Sequence, residues 1–258
     1  MTRTIAILAG KGGTGKTTSS IALGAALSYF GKDVIVVDTN LTTPNVGIHL
    51  GVPVVPINLH HVLQGKNKAK DAVYVHPVGM KIVPASIALA DLKDSRPEKL
   101  PKALADLKKM NPDFILLDGA AGLGREALGA IEAADELLII TNPEMPAITD
   151  ALKTVALANQ MGKNVIGVVL TKTESFNYDV SASNVESMLE KPVIGMIPFD
   201  KAVREALVLK DSVVLTHPKS RPAIAYKKLA ASLIGLSYEE EADVEKKGFF
   251  GFIRKMFR

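Results

Sequence analysis

The chain has 258 residues, of which 47% are hydrophobic and 22% charged, with a formal charge of +4 and no cysteine. This length and apolar content suffice for a sizeable core and argue against disorder, while the lack of cysteine excludes disulfides, thiolate metal sites, iron–sulfur centres and cysteine nucleophiles. No apolar run reaches the roughly 18 residues of a membrane-spanning helix, and no secretory signal is expected at the start, so we expect a cytoplasmic protein.

Short apolar runs rich in β-branched residues alternate with longer amphipathic stretches. Six of these runs predict strands: Thr4–Ala9, Val34–Val37, Phe114–Leu117, Leu137–Thr141, Val165–Leu170 and Val193–Ile197. Two weaker runs, Ala72–His76 and Lys81–Pro84, predict additional strands at one edge. Helices are predicted over Thr17–Phe30, Lys99–Met110, Ala147–Met161, Ser181–Leu189 and Arg221–Leu236. Strands that are apolar on both faces and separated by helices predict a single α/β domain whose mainly parallel sheet is covered on both faces.

The first predicted strand is followed directly by a phosphate-binding sequence. Residues 10–17 fit the pattern G-x-x-x-x-G-K-[ST] between a strand and a helix. Glycines let backbone N–H groups turn inward around an anion, and the start of the following helix adds its positive dipole end. We expect Lys16 to reach the β- and γ-phosphates and the Thr17 hydroxyl to ligate Mg²⁺. The predicted nucleotide-contacting residues of this segment are Gly10, Lys11, Gly12, Gly13, Thr14, Gly15, Lys16, Thr17 and Thr18.

Two other predicted strands are followed by a carboxylate. Asp38 ends one of them and Asp118 ends another. Because ligands bind beyond the carboxyl ends of the strands in open parallel sheets, both side chains are expected beside the phosphate loop. Mg²⁺ keeps several waters and takes few protein oxygens, so we predict that Thr17, Asp38 and Asp118 hold the metal or its coordinated water. The five scattered histidines do not indicate a zinc site.

A second lysine inside the phosphate loop points to a family. With Lys11, the loop reads Lys-Gly-Gly-Thr-Gly-Lys-Thr, which resembles the deviant Walker A motif of the MinD/ParA family of dimerising ATPases. The resemblance covers essentially the whole chain and implies a P-loop NTPase fold with ATP and Mg²⁺ as cofactors. It also implies a homodimer formed on ATP binding, in which Lys11 reaches the partner subunit's nucleotide. Thr141–Glu144 is similar to the family segment that borders the dimer and partner surface.

Two segments depart from the family pattern. Switch II, usually Asp-x-Pro-Ala-Gly, carries Ala120 in place of the proline, and the resemblance implies that Gly122 directs its N–H towards the γ-phosphate. In switch I, Asn40 replaces the second aspartate of Asp-x-Asp. An amide can orient a water but cannot take a proton, so we expect slow hydrolysis. The expected catalytic residues are Lys11, Lys16, Asn40 and Asp118.

The residues after the last two core strands are expected near the base. Many family members carry an asparagine that contacts adenine where this chain has Thr171. The segment Pro198–Asp200 is similar to the family's second adenine-contacting loop, which assigns Pro198 and Asp200 to the nucleotide. These residues alone leave GTP open as an alternative, although the chain has no Asn-Lys-x-Asp guanine signature.

The C-terminal residues differ in composition from the rest of the chain. Residues 237–245 carry five negative charges and no positive one, whereas residues 246–258 carry five positive charges and no negative one. We therefore predict an ATPase domain over 1–236, an acidic linker over 237–246 and an amphipathic helical tail over 247–258. Six apolar tail residues share an arc of about 160° at 100° per residue, opposite the cations, as is typical of an interfacial helix. These membrane-contacting residues are Phe249, Phe250, Phe252, Ile253, Met256 and Phe257.

The ring of cations and the acidic linker favour an anionic membrane surface as the tail's target. Docking on the chain's own domain or in a partner's groove remains an alternative, and nucleic acid is disfavoured because the apolar residues exceed what stacking needs. A single tail is expected to bind weakly, whereas two tails on one dimer gain an avidity of roughly 10²–10⁴. Nucleotide state would thereby control location.

These features match the MinD branch of the family most closely. We expect an ATPase on the inner face of the cell membrane that positions division or other surface machinery together with an unidentified regulatory or cargo protein. Two alternatives stay open: a ParA-like nucleoid-binding partitioning ATPase, and a non-hydrolysing scaffold that uses ATP only to hold its interface together.

Overall fold

The computed structural model describes residues 1–92, 96–174 and 180–239. The strands in these residues are β1 (Arg3–Ala9), β2 (Val34–Asp38), β3 (Tyr74–Val75), β4 (Lys81–Val83), β5 (Phe114–Ala121), β6 (Glu136–Thr141), β7 (Asn164–Thr173) and β8 (Val193–Pro198). They form one sheet in the order β3-β4-β2-β5-β1-β6-β7-β8. Every neighbouring pair is parallel except β3 with β4, which is antiparallel.

The α-helices of the described residues connect these strands. They are α1 (Lys16–Tyr29), α2 (Val46–His49), α3 (Leu59–Leu63), α4 (Leu89–Leu92), α5 (Leu100–Lys108), α6 (Arg125–Ala133), α7 (Met145–Gln160), α8 (Ala182–Leu189), α9 (Lys201–Val208), α10 (Val213–Thr216) and α11 (Arg221–Leu233). Short 3₁₀ turns cover Ala69–Ala72 and Pro97–Lys99. No helix in the part of the chain that the structure describes is long and apolar enough to cross a membrane.

The sheet is buried on both faces, as the uninterrupted apolar strands predict. In β1, Ile5 and Ile7 belong to the hydrophobic cluster beneath α1 and α11, whereas Ala6 and Leu8 belong to the cluster beneath α5, α6 and α7. This alternation follows from the two-residue side-chain period of a strand. The predicted α/β fold, the six core strands and the two additional edge strands are therefore confirmed.

The prediction was wrong or incomplete in three places. The strand predicted over Phe114–Leu117 continues further, because β5 stays paired with β1 up to Ala121. Six helices are absent from the predicted set, since none shows much more than two turns of periodicity: α6 and α9, of nine and eight residues, and the shorter α2, α3, α4 and α10. The predicted tail, 247–258, lies outside the described residues, as does most of the acidic linker.

Two glycines within helices differ in the space around them, which predicts opposite effects of alanine substitution on stability. A Cβ on Gly24 of α1 would lie 2.7 Å from both Met80 Sδ and Val36 Cγ2, whereas the nearest atom to a Cβ on Gly129 of α6 is the Pro97 carbonyl oxygen at 3.4 Å. We expect Gly24→Ala to lower the free energy of unfolding by about 1–3 kcal/mol through overpacking. Gly129→Ala should raise it by about 0.5–1 kcal/mol through helix propensity. Chemical denaturation checks both, and shifts of the same sign would contradict the close approach of α1 to the sheet.

Candidate functional site

The phosphate loop occupies the turn from β1 to α1. Gly13 and Gly15 have φ of 81° and 91°, a left-handed backbone that glycine adopts without strain. A Cβ on Gly10 would lie 2.3 Å from the Asp150 carbonyl, so α7 packs directly against the start of the loop. Gly12 is exposed and a Cβ there would meet no atom within 4 Å. The loop is thus fixed from one side and open on the other.

Asp118 joins this loop to β5. Its buried carboxylate accepts hydrogen bonds from Lys16 Nζ at 2.9 Å, from the Thr17 hydroxyl at 2.7 Å and from the Ser20 hydroxyl at 3.0 Å. Lys16 is itself only 8% exposed. The structure therefore brings together the lysine, the hydroxyl and the carboxylate that the sequence assigned to phosphate and metal.

Asp38 lies directly beside Asp118, because the two residues are register partners on β2 and β5. Asp38 Oδ2 accepts the backbone N–H groups of Asn45 and Val46 at 2.9 Å each, at the start of α2. Burial, followed by the negative charge of Asp118, raises the pKa of Asp38 to about 8. Two adjacent buried carboxylates and the Thr17 hydroxyl form a set of hard oxygen donors, and a dication could replace the proton that burial favours on Asp38, so these residues fit Mg²⁺.

Switch I folds into a turn around Asn40. The Asn40 side-chain amide donates to the Thr43 carbonyl at 2.6 Å, and the Thr43 hydroxyl donates to Asn40 Oδ1 at 3.0 Å. Asn40 is 7% exposed and lines the pocket beside the loop. Each end of its amide makes one bond within the turn, which leaves the second N–H and the second lone pair of Oδ1 available to orient a water.

In switch II, the Gly122 N–H donates to the Ala9 carbonyl at 3.0 Å, with Gly122 at φ 80°. The structure thus directs this N–H to the end of β1, not to the phosphate pocket as the resemblance implied. Pairing of β5 with β1 accounts for the difference, since it continues to Ala121.

Thr171 supports the phosphate loop from beneath. Its hydroxyl donates to the Thr14 carbonyl and lies 2.9 Å from Asn142 Oδ1, and the residue is 3% exposed. The next residue, Lys172, donates through Nζ to the Gly13 carbonyl at 2.7 Å. The position where relatives carry an adenine-contacting asparagine therefore holds the loop in this chain.

Pro198 and Asp200 also line the pocket, at its far end. The Asp200 carboxylate accepts the Ala202 N–H at 3.0 Å, which caps α9, and it lies 3.7 Å from Arg221 Nε. Arg221 also donates to the Phe199 carbonyl at 2.9 Å, so the start of α11 holds this loop in place.

One cavity of about 940 Å³, a volume in the range of small-molecule sites, is lined by the phosphate loop, switch I and the loop at Pro198, whereas Gly122 and the buried Asp38 and Asp118 lie outside its lining. It includes most of the predicted residues, from Lys11 to Thr18 together with Asn40, Thr171, Pro198 and Asp200. Sequence reasoning missed His49, Glu126, Arg204 and Tyr226, which line it from helices and belong to no short motif. Burial lowers the pKa of His49. The described residues contain no cluster of three or more histidines and carboxylates suited to a metal ion.

The chain matches the family model described as the CobQ/CobB/MinD/ParA nucleotide binding domain over residues 5–213. The chain belongs to the MinD/ParA family. An uncharacterised ATP-binding protein of Methanocaldococcus jannaschii is 38% identical over 254 residues, which cover 98% of this chain and 96% of that relative.

Solved structures of MinD resemble this member of the MinD/ParA family over most of its length. The Pyrococcus furiosus cell division ATPase MinD has a TM-score of 0.87 at 34% identity, covering 91% of this chain and 99% of the other. MinD of Pyrococcus horikoshii OT3, complexed with Mg-ADP, has a TM-score of 0.86 at 35% identity, covering 90% and 96%. The family and the P-loop NTPase fold predicted from the phosphate loop are confirmed, and the predicted cofactors, ATP and Mg²⁺, agree with these relatives.

The raised pKa of Asp38 predicts how stability depends on pH in this MinD/ParA protein. Because the folded pKa lies above the unfolded value of 3.8, the contribution is present below that value and is lost as the pH rises towards about 8. In nucleotide-free protein with EDTA, the free energy of unfolding should fall more steeply for the wild type than for Asp38→Asn between about pH 5 and about pH 8. Urea denaturation at several pH values measures this, and parallel curves for the two proteins would show that Asp38 is not the source.

Proposed function

We propose that this chain is an ATPase that binds ATP with Mg²⁺, pairs two copies around the nucleotide and attaches reversibly to membranes through its tail. The contrast between its two loop lysines carries the proposal. Lys16 is buried and ion-paired with Asp118 at 2.9 Å, whereas Lys11 is exposed on the same pocket. One lysine is thus placed for the chain's own nucleotide, and the other is free to extend beyond the protomer.

The chain's own residues suit phosphoryl transfer. The open side of the phosphate loop receives the phosphates, and Lys16 turns from Asp118 to the β- and γ-oxygens. Bound Mg²⁺ neutralises phosphate charge, with Thr17, Asp38 and Asp118 as the residues that would hold it or its water. Lys11 from the second protomer adds a further positive charge where negative charge develops.

Asn40 limits the rate in this proposal. The residue lies on the pocket wall in switch I, where its amide is engaged with Thr43. An amide held in this turn can orient the attacking water through its remaining N–H or lone pair, but it cannot accept the proton of that water. The protein therefore remains in the ATP-bound pair for long periods, and the same substitution favours the non-hydrolysing scaffold as the second candidate.

A single substitution separates slow hydrolysis from none. Asn40→Asp places a carboxylate where the family pattern has one, so we expect the single-turnover rate of phosphate release to rise at least tenfold. Lys16→Ala serves as the inactive control. An unchanged rate in Asn40→Asp would remove the assigned role of this position, and no release by either protein at saturating ATP and lipid would favour the scaffold.

Membrane attachment is proposed from the tail, 247–258, and from a comparison of the binding free energy of one tail with that of two tails on a dimer. Each nearby lysine or arginine contributes roughly 1 kcal/mol on an anionic surface, and each large apolar side chain contributes up to about 1.5–3 kcal/mol on full burial. Ordering each residue costs about 1–2 kcal/mol, so these terms nearly cancel. One tail therefore holds weakly, and pairing two tails supplies roughly 10²–10⁴ of avidity. The biological role that fits is the positioning of division or other surface machinery, with a regulatory or cargo protein as partner.

Co-sedimentation with anionic vesicles tests this coupling. We expect ATP with Mg²⁺ to increase binding of the full chain by about 10²-fold or more over ADP, and a variant ending at Leu236 to lose the increase. Lys11→Ala is the matched control, because it keeps the tail but should not pair. Equal binding of the shortened protein would exclude the tail from the mechanism, and ATP-dependent retention on DNA in place of vesicles would favour the ParA-like alternative.

A further inference from the structure

Only two of the described pocket-lining residues carry a carboxylate, Asp200 and Glu126. Asp200 lies at the far end, where it caps α9 and faces Arg221. Glu126 also lines the pocket and contacts Thr42 of switch I, two residues after Asn40, and the proposed function places the nucleotide's phosphates near switch I. The pocket wall therefore has one carboxylate on the side where the family pattern expects one and Asn40 supplies none.

The Glu126 carboxylate is bonded to switch I. It accepts the Thr42 backbone N–H at 3.3 Å and also the Thr42 hydroxyl. Glu126 is the second residue of α6, which begins directly after switch II. This contact therefore joins switch I to the first turn of α6, the helix that follows switch II.

Thr42 lies inside the turn that holds Asn40. Asn40 and Thr43 exchange two hydrogen bonds across it, and the Asn45 side chain donates to the Thr43 carbonyl at 2.7 Å. At its far end, the turn is fixed to Asp38 by the Asn45 N–H. Glu126 thus provides the one contact described here that ties the middle of this turn to α6.

Hydrogen bonds to an ionised carboxylate are roughly twice as strong as those between neutral groups. Replacing the carboxylate by an amide keeps the shape of Glu126 but removes that advantage. The turn would then sample more conformations, and Asn40 would spend less time correctly placed. Because phosphoryl transfer depends chiefly on positioning, a small loss of order at this point reduces the rate.

We propose that Glu126 is a positioning residue for hydrolysis, which acts through Thr42 to hold switch I, and with it Asn40, against the phosphate end of the pocket. The inference rests on the proposed ATPase activity. In the family pattern, an aspartate within switch I supports hydrolysis directly. In this chain, the Glu126 carboxylate on α6 would support hydrolysis indirectly, because it orders the loop that carries Asn40.

The test combines Glu126→Gln, Thr42→Val and the double variant, with Glu132→Gln as control. Glu132 is an exposed residue of the same helix and lies outside the pocket. Glu126→Gln and Thr42→Val should each lower the single-turnover hydrolysis rate by about tenfold, with ATP affinity changed less than about twofold. The double variant should lose less than the two single losses combined, because Thr42→Val removes the hydroxyl bond and Glu126→Gln weakens both bonds of the same contact. The control should match the wild type.

Hydrogen exchange in the nucleotide-free protein supplies a readout independent of turnover. The Thr42 amide should exchange about tenfold faster in Glu126→Gln than in the wild type or Glu132→Gln, since its acceptor is weakened. If the wild type releases phosphate but Glu126→Gln matches it, the inference is overturned. Additive losses in the double variant also overturn it, because Glu126 would then act by a route other than Thr42. If the wild type releases no phosphate, the proposed ATPase activity is wrong. If, in that case, the Thr42 amide also exchanges at the same rate in Glu126→Gln and the wild type, the inference about Glu126 is contradicted independently.

Discussion

The buried carboxylate of Asp118 is the interaction on which the site depends. A charge removed from water is tolerated only when it is paired and hydrogen-bonded, and Asp118 obtains this from Lys16, Thr17 and Ser20. All three donors belong to the first turns of α1, so the carboxylate also fixes this helix and the phosphate loop before it against β5. The same contacts that satisfy a buried charge therefore align the groups that meet a nucleotide.

The neighbouring Asp38 has a weaker set of partners. Three backbone N–H groups, those of Asn40, Asn45 and Val46, reach it, yet burial and the charge of Asp118 still raise its pKa. Without a metal, burial therefore favours a proton on Asp38, while Asp118 is paired with Lys16. A dication in the proposed role would displace that proton and pair with both carboxylates. The register of β2 and β5 places the two side chains side by side, so it would determine both the raised pKa of Asp38 and the fit to a metal.

The sequence predicted the sheet, its two apolar faces and the residues of the phosphate loop, because these follow from periodicity and from a contiguous motif. It also predicted the convergence of Asp38 and Asp118, since parallel strands end at one edge. It did not predict the Glu126–Thr42 contact, because residues far apart in sequence meet there through the packing of α6 and no local pattern marks them. The orientation of the Gly122 N–H was equally inaccessible, as it depends on how far β5 stays paired.

The described end of the chain bears on how nucleotide state and membrane attachment are coupled. Tyr238 packs edge-on against Phe30 with ring centroids 5.7 Å apart, and the Lys227 ammonium lies 6.0 Å from the Tyr238 ring. Phe30 directly follows the 14-residue helix α1, which starts in the phosphate loop, so the linker leaves the domain about 20 Å from that loop. Release of a masked tail would require a rearrangement of switch I to be transmitted over this distance. In the proposed function, pairing of two protomers would need no such transmission, because it would change the number of tails that meet the surface. Within that proposal, the position of Tyr238 therefore favours control by avidity over control by release of a masked tail.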